Sequence, residues 1–216
     1  MQQKFYPDVS IKLYHSHLKS ILTLLFLTFI SIRLNAQETE LILNDSTYIY
    51  RTLDEASKSP ERVFRLNLSK KKLESFPEQI LQFKNLIELD LSKNKIEEIP
   101  SGIGELIHLR KLNMANNQLI HLPASIGNLK EIVHLELSRN QLEDLPNTIG
   151  GMESLETLLL WDNELKDIPD EIADLKNLKT LELRGILFTD EQQSRIDSLV
   201  VKSAKIFLSP SCNCKN

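Results

Sequence analysis

The chain has 216 residues, 39 of them leucine and 21 isoleucine, with only 6 glycines. Apolar residues make up 41%, and 26 Lys and Arg stand against 30 Asp and Glu, which excludes collagen-like, low-complexity and wholly disordered classes. The first 36 residues carry four bases and one acid, so the remaining 180 hold 22 bases and 29 acids, a net of −7; a body this acidic argues against nucleic acid, whose binding rests on basic stripes that displace counterions.

Residues 1–36 read as a secretory signal peptide. Lys4, Lys12 and Lys19 precede the apolar run from Ile21 to Ile32, and Ala36 supplies the small residue expected at a cleavage point. That run is short for a membrane span, which needs roughly 20 residues. The alternative is an uncleaved anchor, which Arg33 just behind the run favours, and only then would the protein touch a membrane. Cleavage after Ala36 implies an exported protein: secreted, periplasmic or at the cell surface.

Residues 38–62 are expected to form an N-terminal cap. Glu40–Leu43 and Tyr48–Tyr50 are strand-like, and Thr52-Leu53-Asp54-Glu55 fits a capping box at a helix start. The helix should stop near Ser59, because Pro60 disfavours helical geometry in the residue before it. A stack of repeats needs such a lid, since its end repeat has no neighbour to bury its apolar edge.

From Val63 to Leu183 the chain repeats itself every 23 residues. Leu86, Leu109, Ile132, Leu155 and Leu178 mark the period without a slip. Each begins a pattern such as Leu86-Ile-Glu-Leu89-Asp-Leu91-Ser-Lys-Asn94, and each ends on a pattern such as Leu122-Pro123-Ala-Ser-Ile126-Gly-Asn-Leu129. Leucines two apart with an outward residue between them are the alternation of a strand with one buried face. One strand per repeat then gives a parallel sheet. The column Asn94, Asn117, Asn140 and Asn163 sits where the chain leaves the strand, and a buried amide there can bond backbone groups the turn leaves unpaired. Pro100, Pro123, Pro146 and Pro169 are placed at the first position of a short helical turn, where no donor is needed.

This pattern resembles the leucine-rich repeat family, in its Ras-group and bacterial type. The resemblance covers residues 63–183 and implies an α/β solenoid: a curved parallel sheet on the concave side, short helical turns or loops on the convex side, and a cap at each end. Lys71 departs from the pattern where the first Asn should be, and after Arg184 the repeat dissolves. Residues 184–208 are expected to be the second cap. Thr189 is the N-cap candidate, Ile196, Leu199 and Val200 have helical spacing, and Lys205–Leu208 is a last strand. Residues 209–216 form a tail with Cys212 and Cys214, read as two exposed thiols or a local bridge rather than a redox pair or metal site.

No catalytic constellation can be assembled, and no metal or cofactor motif is present. His108 falls on the convex side, His121 in a descending loop and His134 on the concave face. The outward residues form columns: Arg65, Glu88, Lys111, His134, Thr157, Thr180; then Asn67, Asp90, Asn113, Glu136, Leu159, Glu182. Just beyond the strands run Ser69, Ser92, Ala115, Ser138, Trp161, Arg184, and next to them Lys70, Lys93, Asn116, Arg139, Asp162, Gly185. Leu159 and Trp161 break an otherwise polar surface, with Arg139, His134 and Glu136 one repeat earlier and Glu182 and Arg184 one later. An outward tryptophan flanked by arginine has the composition of an interface hot spot; equally, it can lie flat and cover the sheet. The resulting expectation is a non-catalytic module without cofactor that binds a protein partner on its concave face. The alternative is a glycan- or matrix-binding adhesin or envelope structural protein, which a single tryptophan serves poorly.

Overall fold

The computed structural model of the chain describes residues 47–210. The expected signal peptide at 1–36, the run Glu40–Leu43 and the cysteines at 212 and 214 lie outside the described residues.

Among the described residues the alternating apolar side chains form seven short strands: β1 (Arg65–Asn67), β2 (Glu88–Asp90), β3 (Lys111–Asn113), β4 (His134–Glu136), β5 (Thr157–Leu159), β6 (Thr180–Leu183) and β7 (Lys205–Leu208). They pair in sequence order, all parallel, in one sheet. The 23-residue step puts Leu66, Leu89, Leu112, Leu135, Leu158 and Leu181 in one column, none more than 2% exposed. Fully burying such a side chain stabilises by about 1.5–3 kcal/mol, and the column gives each repeat the same share of core.

The return path of each repeat runs through a 3-10 turn: Glu78–Gln82, Ser101–Glu105, Ala124–Asn128, Asn147–Gly151 and Asp170–Asp174. Pro100, Pro123, Pro146 and Pro169 stand one residue earlier than expected, at the N-cap rather than the first helical position. Each proline carbonyl accepts the N–H of the isoleucine three residues on, at 2.9–3.1 Å. The substitution of roles is harmless because an N-cap residue needs no helical donor either, and the ring presets φ near −67°. The isoleucines that follow are buried against the strand leucines. Glycine follows isoleucine because the turns stack closely: a Cβ on Gly127 would lie 2.1 Å from the Thr148 carbonyl oxygen.

The asparagines bond as their position suggests. All four are 7–8% exposed. Asn117 Oδ1 accepts the N–H of Ile96 in the previous repeat at 3.0 Å, while its amide donates to Leu91 and Met114 carbonyls at 3.0 and 2.9 Å. Asn94, Asn140 and Asn163 make the equivalent bonds. Each amide therefore ties its own turn to the preceding one, replacing a strand ladder that three-residue strands are too short to supply. Lys71, out of pattern, gives its N–H to Asn94 Oδ1 at 2.9 Å.

Both ends are closed. Tyr50 extends the sheet by one parallel bridge to β1. The helix Leu53–Ala56 is capped by Thr52, whose hydroxyl accepts the Glu55 N–H. The expected reciprocal half of the box is replaced: the Glu55 carboxylate instead accepts the Tyr48 hydroxyl at 2.5 Å. This helix also ends earlier than Ser59, at Ala56, and Pro60 opens a separate 3-10 turn to Arg62. At the other end Thr189 and Gln192 form a complete capping box for the helix Asp190–Leu199. Ile196 and Val200 bury against the last repeat, and Arg195 binds Asp167, Asp170 and the Ile168 carbonyl.

Candidate functional site on the concave face

Strand pairing places the outward residues in two columns. One runs Arg65, Glu88, Lys111, His134, Thr157, Thr180; the other runs Asn67, Asp90, Asn113, Glu136, Leu159, Glu182. β7 adds a residue to each: Lys205 pairs with Thr180 and Phe207 with Glu182. Sequence reading missed Phe207, because the cap helix lengthens the last step to 25 residues (180 to 205) and breaks the period. The alternation within Lys205-Ile206-Phe207-Leu208 was the available signal: Phe207 is 40% exposed while Ile206 and Leu208 are partly buried.

In five of the six repeat strands the second column does local work. A side-chain oxygen accepts the N–H two residues on: Asn67 from Ser69 at 3.0 Å, Asp90 from Ser92 at 2.9 Å, Asn113 from Ala115 at 3.1 Å, Glu136 from Ser138 at 3.0 Å and Glu182 from Arg184 at 3.1 Å. This Asx-type bond turns the chain out of the strand. Leu159 occupies the same position on β5 and has no oxygen to offer the Trp161 N–H.

Trp161 is half-buried, and the guanidinium of Arg139 stacks 4.3 Å from its ring centroid. Arg139 also reaches Asp162 at 3.7 Å. One strand on, Arg184 lies 5.6 Å from the centroid of Phe207 and forks onto Glu182, Nε to Oε1 at 2.8 Å and Nη2 to Oε2 at 2.7 Å. Glu182 was expected to face a partner; instead it is 6% exposed. Arg184 folds back over it, and the hydrogen bonds from Arg184 hold its pKa below the ordinary glutamate value against the opposing effect of burial. Glu182 thus orients Arg184 and is not itself presented.

His134 and Glu136 sit on β4, paired with Thr157 and Leu159. Burial lowers the pKa of His134, Lys111 adds to the effect, and Glu136 opposes it; the imidazole is neutral at neutral pH. The end of the face from β4 to β7 therefore gathers Leu159, Trp161 and Phe207, two arginines stacked on aromatic rings, and a neutral histidine. Elsewhere, His108 pairs with Glu131 and His121 with Asp144, on exposed loops. A hollow of about 480 Å³ beside the 3-10 turns has its cations already engaged, Lys166 by Glu143 and Arg195 by Asp167 and Asp170. Among the described residues no group of three or more His, Cys, Asp or Glu is placed to hold a metal ion.

Residues 61–119 match the family model for the leucine rich repeat, and residues 101–201 match that for a leucine-rich repeat region. The chain is a leucine-rich repeat protein. Solved structures agree. A leucine-rich repeat protein of Leptospira interrogans is 30% identical, with a TM-score of 0.59 over 77% of this chain and 49% of that one. Internalin C2 of Listeria monocytogenes, at 22% identity and a TM-score of 0.58, covers 68% of this chain and 62% of its own and shares the fold alone. The chain thus spans about half to three fifths of the length of these two relatives. No curated protein matches its sequence significantly. Leucine-rich repeat domains generally mediate protein–protein interaction and are typically non-catalytic. With 390 solved chains matching the fold, the fold does not name the partner; that is decided by side chains on the face.

Proposed function

We propose that this leucine-rich repeat protein is a non-catalytic, exported binding module that takes a protein partner on the β4–β7 end of its concave face. One observation carries the reading: Leu159 gives up the oxygen that every other repeat strand uses to turn the chain. A residue serving the fold alone would be Asn, Asp or Glu, as at the equivalent positions. Leucine there stands beside Trp161, with Phe207 two strands away. Large apolar side chains with stacked arginines at the centre of a polar surface are what interface hot spots are made of. Arg139, Arg184 and His134 frame the patch. A glycan partner is disfavoured, because a guanidinium already takes one face of each aromatic ring that a sugar would stack on.

The test is capture of the native partner from cell-envelope extracts on immobilised protein, followed by titration with Leu159→Asn. The expected result is weaker binding with folding stability unchanged or raised. Unaltered binding would remove this end of the face as the site. Export is tested by the N-terminus of the native protein: it should begin at Gln37, and a mass retaining residues 1–36 would restore the membrane-anchor alternative.

A further inference from the structure

The other end of the same face carries a feature that binding at Trp161 does not use. Lys70, Lys71, Lys72 and Lys93 are all exposed, and none of their ammonium groups has an ion-pair or hydrogen-bond partner among the described residues. Other bases at this end are paired: Lys95 takes Glu74 at 3.9 Å and Arg65 takes Glu88 at 2.6 Å. Asp90 is engaged by the Ser92 N–H and the Asn67 amide. Four unmatched positive charges are thus concentrated on a body whose net charge is −7 beyond residue 36.

Their backbone sharpens the point. Lys70, Lys72 and Lys93 have φ of 59°, in the left-handed region; the column of Lys70 and Lys93 continues with Asn116 at 58°, Arg139 at 57° and Asp162 at 55°, while Lys72 lies two residues along the turn from Lys70. A non-glycine residue there is strained, and asparagine tolerates it better than lysine or arginine. Gly185 ends the column because a Cβ would lie 2.2 Å from Asp162 Oδ1. Lysine at 70, 72 and 93 does not suit the local conformation, and its ammonium makes no hydrogen bond or ion pair among the described residues. Residues that break a local rule without a structural return are expected at functional surfaces.

The rim leads directly to the aromatic patch. Neighbouring strands lie about 4.8 Å apart, so Lys70, Lys93, Asn116 and Arg139 span three gaps, roughly 14 Å, and Arg139 is the residue stacked on Trp161. Extended chain rises about 3.3 Å per residue, so four or five residues cover that distance. We infer that the partner presents a protein segment in two parts: a run of Asp or Glu lying along the lysine rim, continued by an apolar anchor that seats on Leu159 and Trp161. This rests on the proposed binding function and adds the partner's chemistry. Charges at a rim steer encounter and set salt dependence, whereas a buried anchor sets the dissociation rate.

The probe is a labelled peptide of six glutamates, made with and without a flanking Leu-Trp pair at either end. It is titrated against the full chain at low and at physiological salt. The rim variant replaces Lys70, Lys71, Lys72 and Lys93 by Gln; the control replaces Lys130, Lys166, Lys176 and Lys179 by Gln, with the same change in net charge. Exposed ion pairs are individually weak, so losing four together should cost the rim variant about tenfold in affinity at low salt and the control much less. Trp161→Ala should abolish the gain from the Leu-Trp pair and leave the glutamate-dependent binding. Equal losses in rim variant and control, or no binding of the peptide by the native chain, overturn the inference. So does tighter rim-dependent binding of heparin, or of phosphatidylglycerol vesicles, than of the peptide. An anchor gain that persists in the rim variant, without rim dependence, sinks only this inference. Rim dependence with no anchor gain overturns the two-part segment together with the Trp161 site on which it rests.

Discussion

The asparagine column and the outward columns share one 23-residue period but obey opposite rules. The four inner turns carry Asn, with Lys71 departing at the first repeat, because each amide closes three backbone bonds across two turns. The outward column changes residue at nearly every strand: Asn67, Asp90, Asn113, Glu136, Leu159, Glu182. It keeps a chemical requirement, an oxygen for the turn, until Leu159 drops it. Where the backbone depends on a residue the repeat is uniform; where only solvent and a partner meet it, the repeat is free to vary.

Substitutions in the two kinds of column should have opposite effects on stability and binding. Asn117→Ala leaves the Ile96 N–H without its partner, at about 1–3 kcal/mol for a buried group that stays unsatisfied, and removes one of two amide donors from the Leu91 and Met114 carbonyls, which keep Asn94 and Asn140. Chemical unfolding should show a larger loss than either change on the outward face described below, felt through neighbouring repeats. A variant as stable as the native chain would mean water replaces the amide without cost.

Trp161→Ala should do the reverse. Partner affinity falls by about 2 kcal/mol or more, the usual hot-spot threshold, while the unfolding midpoint moves much less because the ring is half-buried. Calorimetric titration and thermal unfolding of the same preparation separate the two. A drop in stability with binding intact would make the tryptophan a packing residue held down by Arg139.

Leu159→Asn is the smaller and more discriminating change. It restores the acceptor for the Trp161 N–H, so stability should rise by about 0.5–1.5 kcal/mol, the usual net value of such a bond, as affinity falls. A loss of stability would show that Leu159 packs usefully against its neighbours on the face.

The smallest effect is a pH dependence. The folded-state pKa of His134 lies below its ordinary value of 6.5, from burial first and Lys111 second, with Glu136 opposing. The unfolded chain therefore binds the proton first. Its contribution is fully present above pH 6.5 and is lost as pH falls below it. The stability–pH curve of His134→Gln should be flatter across that window; an unchanged curve would assign the slope to other groups.

The candidate site was legible to different depths along the face. Trp161, Leu159, Arg139, His134, Glu136 and Arg184 were all placed outward from register alone, since a strict period carries each position onto the same face. The period could not show that Arg139 lies on the indole ring or that Arg184 folds onto Glu182. Those are choices among side-chain rotamers, settled by neighbours one strand away. Glu182 looked like a presented carboxylate by position, yet its interactions with Arg184 bury it. At the N-terminal cap, Thr52 and Glu55 had the spacing of a box, but Tyr48, seven residues away from Glu55, competes for the carboxylate with a phenolic hydroxyl.

Local pattern set the repeat, the strand register from β1 to β6, the buried asparagines and the capping helix after Thr189. Every repeat meets a copy of itself, so one unit's environment is known from its neighbour's sequence. Only the tertiary structure decided that proline caps the 3-10 turn instead of opening it, that glycine is needed where the turns touch, and that Phe207 joins the face beyond Glu182. The first two depend on how closely neighbouring turns approach, which a residue pattern does not carry, and the third on the length of the cap helix that interrupts the period.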